Sequence, residues 1–389
     1  MRSTLKNYFP LIRTRQEIDE EIQKDLFLFH RYSTWTKDAR EEFLDFCTGV
    51  KGVKILYDSF FKEIMNPEYD PERLNDFLSL LIGQNVRLKE ILPVDSTRMS
   101  DESSLLSMDI LVELEDGTLA DLEVQKIGYL FPGQRSACYS ADLLLRQYKR
   151  IRSEKKRLNQ RFSYKDIKAV YVIVFFENSP KDFKRFSKEY KHIVQYVSDT
   201  GVELHLPQKF IYICLDVFKQ KQDNEDVTIH NKLEAWLTFL CRDEPEKIIE
   251  LIECYPEFKS LYEDIYTLCR DTEKVMGMFS KELLEMDRNT VKLMIDEMQE
   301  EVDGLLKECD QLVGERNQLA GERDQLAGER DQLAGERDQL AGERDQLAGE
   351  RDQLVGERDQ LAGERDQLAE DLEKANEEIR RLKEMLEKK

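Results

Sequence analysis

Two carboxylates and an amide stand on neighbouring short segments of this chain. Asp109 opens the alternating stretch Asp109–Leu114, and Glu123 and Gln125 close a second one, Leu119–Gln125. Glu115–Asp116–Gly117 joins the two. Segments so connected can aim three oxygen-bearing side chains at one point. Such a cluster suits a divalent cation, Mg²⁺, and a water molecule, and hence metal-assisted hydrolysis of a phosphodiester.

The hydrophobic pattern sets the register. A two-residue turn at Asp116–Gly117 would pair Ile110 with Glu123 and mix polar with apolar residues on each face. A three-residue loop with Gly117 in the left-handed region removes the conflict. Ile110 then opposes Leu122, Val112 opposes Ala120, and Asp109 lies across from Glu123. Asp121, Glu123 and Gln125 share that face. Two acids side by side without a basic partner on the sheet face repel each other, and a shared cation relieves this. Gln125 can orient a water but brings no positive charge. Lys126, next in the strand, points to the opposite face.

Further candidates follow the hairpin. Arg135 and Tyr139, four apart, share a helix face. They either contact phosphate near the cation or form a buried polar pair bracing helix to sheet. The run Arg146–Arg161 holds eight basic residues and one acid, Glu154. Arg146, Lys149, Arg150, Lys155 and Lys156 are its expected phosphate contacts, with binding that weakens as salt rises. The whole chain carries a net charge of −21, yet residues 126–192 hold 17 Lys and Arg against 6 Asp and Glu. A basic zone inside an acidic chain marks the side that meets nucleic acid. The four histidines show no H-E-x-x-H and no zinc spacing and read as structural or surface residues, and no Gly-rich phosphate loop is present, which argues against an NTPase. Phe175, Phe176 and Tyr212 fall in strand-like runs and read as core.

The elements that must position these residues can be sketched from periodicity. An irregular lead and helix occupy residues 1–50. Helical patterns follow over 54–65 and over Arg73–Ile82, the second stopped by Gly83. The hairpin comes next, then a helix from about Gln134 to Arg157, strand-like runs at Lys168–Phe176 and Lys209–Phe218, and helices over 231–285 anchored by Trp236, Leu237, Phe239 and Leu240. The order predicts an α/β fold with a mixed sheet flanked by helices. The expected parts are a helical lead (1–50), a core (51–225), a helical extension (226–290) and a heptad region (291–389).

That last region is a repeat of Asp-Gln-Leu-Ala-Gly-Glu-Arg from Asp310 to Ala369. With leucine at position d and arginine at a, one register holds from residue 291 to 386. This predicts a long coiled-coil helix and a parallel homo-oligomer, a dimer, or else a spacer grown by tandem duplication. Eight glycines from 314 to 363 weaken the helix by about 1 kcal/mol each relative to alanine. The seven scattered cysteines read as reduced thiols, the segment Met1–Pro10 lacks a signal-peptide core, and Ala169–Phe176 is too short to cross a membrane. Together they predict a cytoplasmic protein.

The segment Met108–Asp142 resembles the core of the PD-(D/E)XK nucleases, and among them the recombination-promoting nuclease and transposase-like family. The shared pattern is Asp109, Gly117, Glu123, Gln125, Arg135 and Tyr139. Upstream, Asp58–Lys62 and Leu74–Leu78 are similar to the helices before the core, and Trp236–Leu240 to the helical part after it. The likeness covers roughly residues 50–290 and excludes the heptads. It implies a restriction-endonuclease-like fold and a Mg²⁺-dependent endonuclease acting on double-stranded DNA, with Asp109 and Glu123 as metal ligands. Gln125 stands where most of the superfamily has lysine. The superfamily's early acid corresponds to Asp58 or Glu63. The alternative is a degenerate nuclease fold that holds DNA or a protein without cutting.

Overall fold

Apolar residues alternate along the strands and divide the interior in two, one core on each face of a six-stranded mixed sheet. The computed structural model describes residues 5–92, 110–126, 131–224 and 229–387. They form two compact units, Met1–Gln299 and Glu300–Lys389. The first begins with helices α1 (Arg15–Lys24), α2 (Leu26–Thr34), α3 (Lys37–Cys47), α4 (Asp58–Ile64) and α5 (Pro71–Ile82). Strands β1 (Leu88–Ile91), β2 (Ile110–Leu114) and β3 (Leu119–Gln125) follow, then α6 (Pro132–Arg157), β4 (Val170–Phe176), α7 (Lys181–Lys184), β5 (Lys191–Val194) and β6 (Gln208–Cys214). Helices α8 (Leu215–Asp223), α9 (Lys232–Cys241), α10 (Pro245–Cys254), α11 (Phe258–Leu268) and α12 (Thr272–Glu387) complete the chain.

The sheet order is β1-β2-β3-β4-β6-β5. β3, β4 and β6 run parallel, while β1, β2 and β5 are antiparallel to their neighbours. Parallel strands need both faces covered, and both are. Ile110, Val112, Ala120, Leu122, Ile173 and Phe175 point into the larger core with the helices on that side. Leu111, Leu119, Val172, Val174, Phe176 and Tyr212 point into the smaller one, which Tyr139 and Leu143 of α6 close.

The hairpin has the register that the pattern demands. Ile110 pairs with Leu122 and Val112 with Ala120. The Leu114 and Gly117 amides donate to the Thr118 and Leu114 carbonyls at 2.8 and 2.9 Å. Gly117 sits at φ +86°, where a Cβ is unfavourable.

Three elements differ from expectation. The run Lys209–Phe218 is strand only to Cys214, after which Leu215, Val217 and Phe218 turn a helical face into the core. The helix expected over 54–65 starts at Asp58, with Ile55 and Leu56 buried in the loop before it. β1 and β5 were not anticipated. Each has four residues and lies at an edge of the sheet, so neither carries the apolar alternation that marks a covered strand. α12 is helical through the entire glycine-bearing repeat. All seven cysteines are free thiols, and among the described residues no helix is long and apolar enough to cross a membrane.

Candidate active site

β3 changes character along its length on the face beneath α6. Leu119 joins the apolar core, but Asp121, Glu123 and Gln125 continue the same face, and all three are buried. Their parallel neighbours are Val172, Val174 and Phe176, which offer no polar side chain. Three polar groups in a row on a dry strand face are costly unless something else satisfies them.

α6 supplies part of the answer. Its first turns, opened by Pro132 at the first helical position, bring Arg135 and Tyr139 over Glu123. The Tyr139 hydroxyl donates to Glu123 Oε1 at 3.1 Å, and Arg135 Nη2 donates to the same oxygen at 3.2 Å. Arg135 also donates to the Tyr139 oxygen through Nε at 3.1 Å and Nη2 at 2.8 Å. Glu123 therefore has a basic partner, delivered by the helix and not by the sheet. Tyr139 is wholly buried, while the Arg135 side chain keeps 27% of its surface exposed. Tyr139 thus has the bracing position between helix and sheet, and Arg135 stands between that network and the outside.

The second oxygen of Glu123 is treated differently. Among the described residues, Glu123 Oε2 and both polar side-chain atoms of Gln125 are buried without a hydrogen-bond partner. Burial, and next the charge of Asp121, push the Glu123 carboxyl up to about 8; Arg135 and Tyr139 pull it the other way without prevailing. Burial likewise raises the Tyr139 hydroxyl well above its usual range. A carboxylate oxygen and an amide oxygen left unsatisfied side by side are the donors a hard cation takes, and a cation would reverse the upward shift of Glu123. No cluster of three or more His, Cys, Asp or Glu side chains suited to a metal occurs among the described residues, and Asp109 lies outside them.

The remaining sequence candidates separate from this cluster. Asp58 pairs with Lys62 at 2.8 Å, and Glu63 with Lys274 at 2.6 Å. Among the described residues neither contacts Glu123 or Gln125. Lys126 turns to the other side of the sheet, over the Tyr57 ring at 5.0 Å, and ion-pairs with the fully buried Glu282 of α12. Glu282 Oε2 also accepts the Asp58 backbone N–H at 3.1 Å, at a helix start that has no side-chain cap of its own. Nothing local in the sequence links Lys126 with Glu282, and the pairing was not anticipated.

The basic run continues down α6. Arg146 pairs with Asp142 at 2.7 Å, Arg150 with Glu90 at 2.6 Å and with Glu113, and Lys155 with Asp166 at 3.5 Å. Lys149 and Lys156 are exposed. At a rise of about 1.5 Å per residue, Lys155 stands roughly 30 Å along the helix from Arg135. Arg146, where the run begins, stands about 16 Å along it.

Two family models match the chain. The family model described as PD-(D/E)XK nuclease family transposase matches residues 55–294, more than half of the chain. The model of the SPC25 N-terminal domain matches residues 276–389, the helical C-terminal part. No curated protein and no solved structure matches the chain.

Proposed function

Because the chain belongs to the PD-(D/E)XK nuclease family transposases, we propose that it is a Mg²⁺-dependent endonuclease that hydrolyses phosphodiesters in double-stranded DNA during recombination or transposition. The observation that carries the proposal is the orphaned pair at the end of β3: Glu123 Oε2 and the Gln125 amide, buried side by side with no partner among the described residues. Asp109 and Glu123 are the residues that would hold the cation. When bound it supplies an acidified water and a positive contact for the scissile phosphate.

The protein's own groups do the rest. Glu123 must give up its proton before it can serve as a ligand, and the two donors from α6 stabilise the carboxylate that results. Gln125 orients the attacking water with an amide that accepts from one hydrogen and donates elsewhere. Arg135, tied to Tyr139 yet partly exposed, faces the phosphate. Arg146, Lys149, Arg150, Lys155 and Lys156 hold the duplex backbone farther along α6. The heptad helix assembles two copies, so that each strand of one duplex meets its own site. The free cysteines fit a cytoplasmic setting.

A plasmid-nicking assay tests the reading. Wild type should nick supercoiled DNA in Mg²⁺ and stop in EDTA, and Glu123→Gln should be inactive while still folded. Equal nicking by wild type and Glu123→Gln, or none by wild type, favours a non-cutting scaffold instead.

A further inference from the structure

Beyond the cutting site, the far end of α6 carries an aromatic cluster that belongs to neither core. Tyr148 on α6 meets Phe162 edge-on at 5.3 Å, and Phe162 meets Tyr164 at 5.4 Å. Tyr148 and Tyr164 are near parallel, 16° apart. Tyr164 is 77% exposed, yet it sits at the start of a 3-10 turn whose capping box joins Ser163 and Asp166. Arg152 lies 5.8 Å from the Tyr148 ring centre and donates to its hydroxyl at 2.9 Å. The result is a fixed, water-facing ring backed by two more rings and a guanidinium.

Its surroundings are strongly cationic. Residues 146–168 contain ten Lys and Arg and two acids, Glu154 and Asp166. Arg157, Lys165 and Lys168 help line an adjoining cleft of about 740 Å³. Among the described residues, these three and Lys149, Lys156 and Arg161 have no carboxylate partner. Of the five acids that line the cleft, Glu113 is paired with Lys89 and Arg150, Asp166 with Lys155, and Asp116 accepts from Thr118, while Glu115 and Glu154 stand among six Lys and Arg. A partner for this surface must be polyanionic and must present flat faces. A duplex stacks its bases against one another and hides them; a single strand leaves them open.

We infer that Tyr148, Phe162 and Tyr164, with the cations beside them, form a platform for single-stranded DNA, in which an unpaired base stacks on Tyr164 and flanking phosphates follow Arg157, Lys165 and Lys168. The choice of DNA rests on the nuclease reading above; the platform itself needs no cleavage. With Tyr148 roughly 20 Å from Arg135 along α6, it would take a strand unpaired about six base pairs from the cut. The substrate would then be a duplex with a single-stranded arm.

Binding measured in EDTA separates this from cutting. The probes are labelled oligothymidylate, a blunt duplex and oligouridylate, each of about twelve nucleotides, a length within the usual reach of such sites. The full-length protein should bind oligothymidylate more tightly than the duplex. Tyr164→Ala should weaken the single strand by about five- to a hundredfold, as loss of one stacked base does, and leave the duplex unchanged. Tyr164→Phe should keep wild-type affinity. Lys165→Gln with Lys168→Gln should lower the salt slope by roughly one to two. A twofold or smaller effect of Tyr164→Ala, or a duplex bound as tightly as the single strand, overturns the platform. Tighter oligouridylate binding overturns the choice of DNA. A protein that binds the single strand but never nicks removes the nuclease reading and leaves the platform standing.

Discussion

The Tyr139 hydroxyl rests 3.1 Å from Glu123 Oε1, inside the sheet–helix interface, and from there it favours the ionised carboxylate against the opposing effects of burial and Asp121. In the folded protein Glu123 is pushed up to about 8 from an ordinary 4.5. Between those values the folded chain keeps a proton that the unfolded chain has released. Its contribution to stability is complete below the lower value and is lost as pH rises through the upper one. Thermal unfolding of metal-free protein should thus show stability falling toward pH 8, and Glu123→Gln should remove most of that fall. Tyr139→Phe deletes a donor to the charged form, so the rise of activity with pH should move to higher pH. An unmoved profile in Tyr139→Phe would show that the hydroxyl does not act on Glu123.

Contacts along α6 should differ in kind. Lys149 and Lys156 are exposed, whereas Arg146 and Arg150 are held by Asp142, Glu90 and Glu113. Lys149→Ala and Lys156→Ala should each reduce the salt slope of duplex binding by about one and leave Tm unchanged. Arg146→Ala should change the slope less and lower stability, because it strands Asp142. The check is a titration of affinity against salt for each variant beside its melting curve.

How far the sequence reaches depends on distance along the chain. The described part of the hairpin, residues 110–125, was legible because alternation and Gly117 act within a few positions, and the register of Ile110 with Leu122 follows from them. Helix α6 was legible for the same reason. The Arg135 contact with Glu123 was only half legible: four-residue spacing puts Arg135 and Tyr139 on one face, but which strand face they cover is a tertiary fact. Lys126 and Glu282 have no local signature, since a buried ion pair leaves no periodic trace on either partner. The edge strands β1 and β5 escaped because half-exposed four-residue strands lack apolar alternation. The aromatic cluster escaped because Tyr148 and Tyr164 lie on different elements. Phe175, Phe176 and Tyr212 are core, as their places in strand-like runs predict.

Glu282 is fully buried and holds both Lys126 and the Asp58 amide. Removing one member of such a pair leaves an uncompensated charge and costs about 3 to 5 kcal/mol. Glu282→Ala should destabilise the residue 1–299 unit by that order. Glu282→Ala combined with Lys126→Met, which removes both charges, should recover a large part of the loss. Denaturant unfolding of the four proteins completes the cycle; additive losses would mean the two side chains do not interact.

The repeat makes opposite demands on its glycines and its leucines. In α12 the d leucines are about two-thirds exposed, Leu333 and Leu340 at 65% each, and a Cβ added at any of the glycines from Gly314 to Gly363 would meet open space. The arginines at a bond to the aspartates beside them, as Arg330 does to Asp331 at 2.9 Å, and such exposed pairs add little. A single helix with this surface gains nothing from its leucines, whereas a paired one buries them. With the glycines at the outward f position, replacing all eight by alanine should stabilise the helix by about 1 kcal/mol each without touching a pairing face. The helical signal should then melt at higher temperature while the mass by light scattering stays that of the oligomer. Leu333→Ser with Leu340→Ser should do the reverse, lowering the mass toward one chain and leaving the residue 1–299 unit folded. If wild type already scatters as a single chain, the leucines pair with nothing and the repeat is a spacer.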